Sequence, residues 1–160
     1  MQKINLQVQA SLYSGPGELS SKVQELHDAA VAALDQAYAP YSGFQVSAAL
    51  RLGDGRILTG TNQENAAYPS GLCAERTVLF YAGSAFPHQP VCDLLVLARK
   101  AGTSVLLPAC PCGGCRQVMV EYEQRQGSPM RVFFRQDETG ILGLDSVSAL
   151  LPFKFDTQFH

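Results

Sequence analysis

The stretch from Cys92 to Ala98 constrains this chain most, because Leu94 to Ala98 is apolar at every position. A strand with one face in water alternates apolar and polar residues, whereas an apolar run of this length is covered on both faces. Helical patterns precede and follow it. The chain is therefore expected to place helices on both sides of a central sheet.

The remaining elements fit that frame. Residues 3 to 10 alternate, with Ile4, Leu6, Val8 and Ala10 on one side, and read as a strand. From Ser20 the spacing turns helical: Val23, Leu26, Ala30, Ala33, Leu34 and Ala37 share a face, with Ser20 or Ser21 as N-cap and Pro40 as the stop. Two strand-like runs, 44–51 and 56–61, flank Asp54-Gly55, a hairpin signal. A helix is expected from about Cys73 to Ala82. Another should begin at Pro111 and end at Gly127. Residues 130–135 and 140–144 read as strands, and 146–151 as a short helical turn before Pro152. The expected fold is a three-layer α/β/α sandwich with a mixed sheet of about five strands. It forms a single domain over residues 1–160, with residues 1–19 as an N-terminal extension.

Bulk chemistry narrows the function classes. The net charge is −2 and no basic patch is visible, so a nucleic-acid partner is not expected. The apolar runs are too short to span a bilayer, and the N-terminus lacks the pattern of a signal peptide. A cytoplasmic location is the default expectation. Five cysteines, an odd number, then point to metal or catalysis rather than to a disulfide framework.

Two segments carry the chemistry: Cys73-Ala74-Glu75-Arg76 and Pro111-Cys112-Gly113-Gly114-Cys115-Arg116. Each opens an expected helix. Unpaired N–H groups and the helix dipole there favour a thiolate over a thiol. A C-x-x-C on a first turn aims both sulfurs the same way. With Cys73 from the other helix, three sulfurs would hold one zinc ion per chain and leave a fourth position for a water or hydroxide. Glu75, two residues past Cys73, would sit beside the metal without binding it and move protons between water and a leaving nitrogen. Arg76 and Arg116 would offset the charge of three thiolates. At about 5 Å and an effective dielectric near 20, one such charge is worth roughly 3 kcal/mol. Surface ion pairing is the plainer role for both arginines. A closed four-thiolate site would need Cys110, but the conformation preceding Pro111 aims it elsewhere. Cys92 reads as a small buried core residue.

At these residues the sequence resembles the cytidine deaminase family, specifically its small three-cysteine, homotetrameric type. The likeness extends from about Val23 to Phe155. Cys73-Ala74-Glu75-Arg76-Thr77 and Pro111-Cys112-Gly113-Gly114-Cys115-Arg116-Gln117 resemble the family's zinc motifs, Tyr38-Ala39-Pro40-Tyr41-Ser42-Gly43-Phe44 its opening motif, and Asn62-Gln63-Glu64-Asn65-Ala66 its ribose-binding segment. Ser47 stands where glycine is common in the family, and Gly114 where alanine is common.

The resemblance implies further roles. Phe44 would lie against the nucleoside. Asn62 and Glu64 would bind ribose hydroxyls, and the Ala66 backbone would contact the base. Phe155, three residues after Leu150-Leu151-Pro152, would stack on the base in a neighbouring subunit, with Phe153 and Phe159 as competitors. The implied reaction is hydrolytic deamination of cytidine and 2'-deoxycytidine to uridine and 2'-deoxyuridine plus ammonia, as in pyrimidine salvage. A small-molecule nucleoside would be the substrate, and neighbouring subunits of a homotetramer would complete the sites. Two rivals remain at this point. One is a deaminase of a modified cytosine nucleoside such as blasticidin S. The other is a non-enzymatic zinc or thiol-redox module.

Overall fold

A computed structural model describes residues 1–155. After the N-terminal segment, the order of elements is the one the periodicity implies. Strands β1 (Ser11–Tyr13), β2 (Phe44–Leu52), β3 (Ile57–Thr61), β4 (Val91–Lys100), β5 (Leu106–Leu107), β6 (Arg131–Arg135) and β7 (Ile141–Leu144) form one sheet. Helix α1 (Ser21–Ala33) precedes the β2–β3 hairpin, α2 (Ala74–Ala85) links β3 to β4, and α3 (Gly113–Gln126) stands between β5 and β6. The sheet order is β1-β7-β6-β4-β2-β3, with β5 paired to β4. It is mixed: β4 and β6 are parallel and the other pairs antiparallel. Five of the expected strands, β2, β3, β4, β6 and β7, are present in it. The short β1 and β5 extend it to seven.

The central strand β4 shows why the sheet is covered on both faces. Leu94 and Val96 join Ala48, Leu50, Val78, Leu79, Met119 and Val120 under α2 and α3. Leu95 and Leu97 join Ala49, Val23, Leu26 and Ala30 under α1. All are fully or almost fully buried. Removing one such leucine side chain costs about 2–5 kcal/mol in comparable cores. Among the described residues, no helix is long and apolar enough to cross a membrane.

Two local features set where the site forms. Gly60 on β3 lets α2 approach closely: a Cβ there would lie 2.7 Å from the Val78 nitrogen and 3.0 Å from the Ala74 carbonyl. On the other face, the buried Ser47 hydroxyl donates to the Ala30 carbonyl at 2.7 Å, which satisfies an acceptor in the last turn of α1.

Three expectations need correction. Residues 3–10 form no strand; they are exposed, and the edge strand is the three-residue β1 that follows. Their alternation has no neighbouring strand to pair with among the described residues, and a lone strand does not hold its shape in water. Cys92 is exposed rather than buried. The β2–β4 register shifts between Arg51, paired with Asp93, and Leu52, paired with Val91. This leaves Cys92 as the unpaired bulge residue. Helix α2 also runs three residues past Ala82, to Ala85.

The C-terminal segment is fastened to α3 through Glu123. This buried carboxylate accepts from the Met130 and Val147 amides at 2.8 and 3.1 Å, from the Ser146 hydroxyl at 2.7 Å, and from both the hydroxyl and the amide of Ser148. Burial raises its pKa, but these donors outweigh burial and hold it below the ordinary carboxylate value. The sign follows from linkage. A group whose pKa is lowered in the folded state stabilises fully above its unfolded pKa, about 4.3, and loses that contribution as pH falls through the folded value. Glu123→Gln should therefore lower stability by about 2 kcal/mol at pH 7. In chemical denaturation, the gap to the wild type should narrow steadily below pH 4.

Candidate metal and active site

The site forms where the first turns of α2 and α3 meet. Cys73 is the N-cap of α2 and Cys112 the N-cap of α3, both with extended backbone angles. Cys115 lies one turn into α3 and is fully buried. The three sulfurs all lie within 4.8 Å of one another, and Cys112 and Cys115 are 3.4 Å apart. Ligand sulfurs at the Zn–S distance of about 2.3 Å on a tetrahedron stand about 3.8 Å apart. The cluster fits zinc in donor type, number and spacing. With three sulfurs, the cluster supplies one ligand fewer than a closed four-ligand structural site. Cys110 stays outside the cluster: its sulfur accepts from Arg116 Nη2 at 3.0 Å.

The electrostatics of the sulfurs match that purpose. A hydrogen bond from Cys115, helped by Arg76, holds the Cys73 thiol at about 5. The same contact, together with burial, pushes Cys115 upward. Three crowded thiols cannot all ionise unaided, and a divalent cation at their centre relieves that conflict. Arg76 Nη2 stands 3.7 Å from the Cys73 sulfur. Arg116 is differently engaged. Besides Cys110, it donates to the Pro111 carbonyl at 2.8 Å and the Leu150 carbonyl at 3.1 Å.

Glu75 sits in the first turn of α2 and is only 4% exposed. Its carboxyl interacts with Cys73 and Cys115. Burial, and then the negative charge of Cys73, push its pKa upward. A carboxyl beside the cluster of sulfurs, shielded from bulk water and with its pKa raised above the ordinary carboxylate value, is suited to accept and return a proton.

An adjoining cavity of about 790 Å³ has Asn62, Glu64, Ala66, Cys73 and Arg76 in its walls. Its rim is stitched by backbone bonds: the Tyr38 amide to the Asn62 carbonyl, the Glu64 amide to the Tyr38 carbonyl, and a mutual pair between Gln63 and Leu72. The Asn62 side chain accepts from the Val46 amide at 2.8 Å and donates to the Phe44 carbonyl at 2.9 Å. Glu64 accepts from the Tyr41 amide at 2.9 Å, from the Ser42 amide and from the Ser42 hydroxyl. The Ser42 hydroxyl, followed by the Tyr41 amide, lowers the pKa of Glu64. Phe44 opens β2 and is 37% exposed, near the cavity but not in its wall. Phe155 is not in the wall either; its ring is exposed. Phe159 lies outside the described residues. The sequence reading missed Ser42 and Gln117. Both lie in quoted motifs, but no local pattern reveals bonds to residues 22 and 38 positions away.

The model of the cytidine and deoxycytidylate deaminase zinc-binding region matches residues 20–127, a span holding all three cysteines and Glu75. The chain belongs to the cytidine deaminase family. It is 47% identical over 98 residues to a cytidine deaminase of Halalkalibacterium halodurans, an alignment covering 61% of this chain and 70% of that relative. It is 46% identical over 87 residues to one of Mycobacterium tuberculosis, covering 54% and 60%. Among solved structures, the cytidine deaminase of Burkholderia pseudomallei superposes with a TM-score of 0.69 at 38% identity, covering 82% of this chain and 97% of that one. That of Mycobacterium leprae gives 0.65 at 30% identity, covering 83% and 99%.

Zinc analysis of purified variants tests the ligand set. Cys112→Ala and Cys73→Ala should each lose most bound zinc, whereas Cys110→Ser should keep it.

Proposed function

We propose that this chain is a zinc-dependent hydrolytic deaminase converting cytidine and 2'-deoxycytidine to the corresponding uridines and ammonia. The observation that carries the reading is the buried Glu75 carboxyl beside the converging sulfurs, one of which, that of Cys73, belongs to the wall of a cavity large enough for a nucleoside. Cys73, Cys112 and Cys115 would hold the zinc. When bound, the metal supplies a Lewis acid and a water acidic enough to attack at neutral pH.

The chain's own residues do the rest. Glu75 accepts a proton from the attacking water and delivers it to ring N3, which makes C4 electrophilic. It then relays the second proton to the departing amine, so that ammonia leaves and the 4-oxo product remains. Arg76 offsets thiolate charge at Cys73 through the contact at 3.7 Å. Arg116 carries its charge nearby while bound to Cys110, Pro111 and Leu150.

Asn62 and Glu64 line the cavity, and their bonds to Val46, Phe44, Tyr41 and Ser42 fix the side chains before the sugar arrives. Ala66 offers backbone to the base, and Phe44 flanks the nucleoside. Phe155 projects away from its own fold, 73% exposed, and in our reading stacks on the base bound by a neighbour in a homotetramer. The enzyme would work in the cytoplasm, in pyrimidine salvage, as a single domain.

Ammonia release from cytidine by the zinc-loaded protein tests the reading. Glu75→Ala should keep zinc and lose at least about 100-fold in kcat. Arg76→Gln should keep zinc and lower kcat by roughly tenfold, since an opposing charge at this range is worth kilocalories. Wild-type turnover in Glu75→Ala would remove the proton-transfer role. No release from cytidine, with zinc bound, would move the substrate to a modified cytosine nucleoside.

A further inference from the structure

The first turns of α3 do more than supply two sulfurs. Two residues past Cys115, the side-chain amide of Gln117 meets the backbone of Phe155 in a two-point contact. Gln117 Nε2 donates to the Phe155 carbonyl at 2.9 Å, and the Phe155 amide donates to Gln117 Oε1 at 3.2 Å. The pairing is complementary in both donors and acceptors, like one rung of a β-ladder made by a side chain. The tail is otherwise held upstream, by Arg116 at Leu150 and by Glu123 at Ser146–Ser148. Between Leu150 and Phe155 the chain lies in no helix or strand.

The contact distinguishes two phenylalanines that the sequence could not separate. Phe153 is 86% exposed and Phe155 73%. Of the two, only Phe155 has both backbone polar groups held by a side chain. Its backbone is fixed while its ring stays free of its own fold. That is the arrangement needed by an aromatic group that must enter a site it does not share a core with, because the ordering cost is met before docking.

We infer that Gln117 is a positioning residue that sets the register and direction of Phe155, so that its ring can cover the nucleoside base. The inference rests on the reading of Phe155 given under Proposed function. It extends that reading by making the metal-bearing helix also the mount for the aromatic group. Gln117 touches neither substrate nor metal in this role. Its effect passes entirely through Phe155. Stacking that holds substrate and transition state equally well shows itself in KM rather than in kcat.

A double-mutant cycle on the zinc-loaded, full-length protein tests this, with cytidine kinetics and zinc content as readouts. Gln117→Met keeps the side chain's length and removes both hydrogen bonds. It should raise KM about tenfold, leave kcat within about twofold, and keep the zinc. Gln117→Asn, too short to reach, should do the same and serves if the methionine variant folds poorly. Phe155→Ala should raise KM at least as much. Adding Gln117→Met to Phe155→Ala should change nothing further, a non-additivity that general weakening of α3 would not produce. Wild-type KM in both Gln117 variants, or additive effects in the double variant, would overturn the positioning role while leaving Phe155 as the stacking group. Wild-type KM in Phe155→Ala would instead overturn the stacking reading, and the positioning role with it.

Discussion

The structure depends on the meeting of two helix N-termini at one place. Cys73 and Cys112 cap α2 and α3, and Cys115 follows one turn later, so three sulfurs from two elements lie within 4.8 Å. Three thiols at that spacing are in electrostatic conflict, visible in the opposite pKa shifts of Cys73 and Cys115. A divalent cation resolves the conflict and joins the two helices, so metal binding and fold stability are linked here. The packing beneath fixes the geometry. Gly60 lets α2 lie close on β3, and the doubly covered β4 anchors both helices to one sheet.

Helix α3 is the element on which the sulfur cluster and the C-terminal segment converge. Its N-terminus supplies two sulfurs. Its next residues, Arg116 and Gln117, hold Leu150 and Phe155. Its last turns hold the 3-10 turn Val147–Leu150 through Glu123. The C-terminal segment is therefore laid along the metal-bearing helix by polar contacts at three points. A small movement of α3 would be felt both at the sulfurs and at the exposed phenylalanine ring. The rim of the cavity is built on the same plan: Glu64 and Asn62 use local backbone to hold themselves in place and to hold the Tyr41–Phe44 loop.

Much of this was legible in the sequence wherever a local rule acted. The cysteine-led helix starts, the Asp54-Gly55 hairpin and the Gly127 stop, with its left-handed backbone, follow from capping and turn chemistry within a few residues. Errors came where the outcome depended on a distant neighbour. Residues 3–10 have the rhythm of a strand, yet no strand lies beside them among the described residues to make them one. Cys92 has an apolar side chain in an apolar strand, but a bulge against β2 turns it outward. β5 has two residues, too few for any periodicity. The bonds Gln117–Phe155 and Ser42–Glu64 join residues 38 and 22 positions apart, and only the folded chain brings them together.

The central claim is a three-sulfur zinc site with one position open for chemistry. X-ray absorption at the zinc edge of the metal-loaded protein tests it most directly, because sulfur and oxygen neighbours differ in distance and scattering. The expected result is three sulfurs at about 2.3 Å and one lighter atom near 2.0 Å. Four sulfurs, with Cys110 as the fourth, would contradict it and leave a closed structural site with no place for the attacking water.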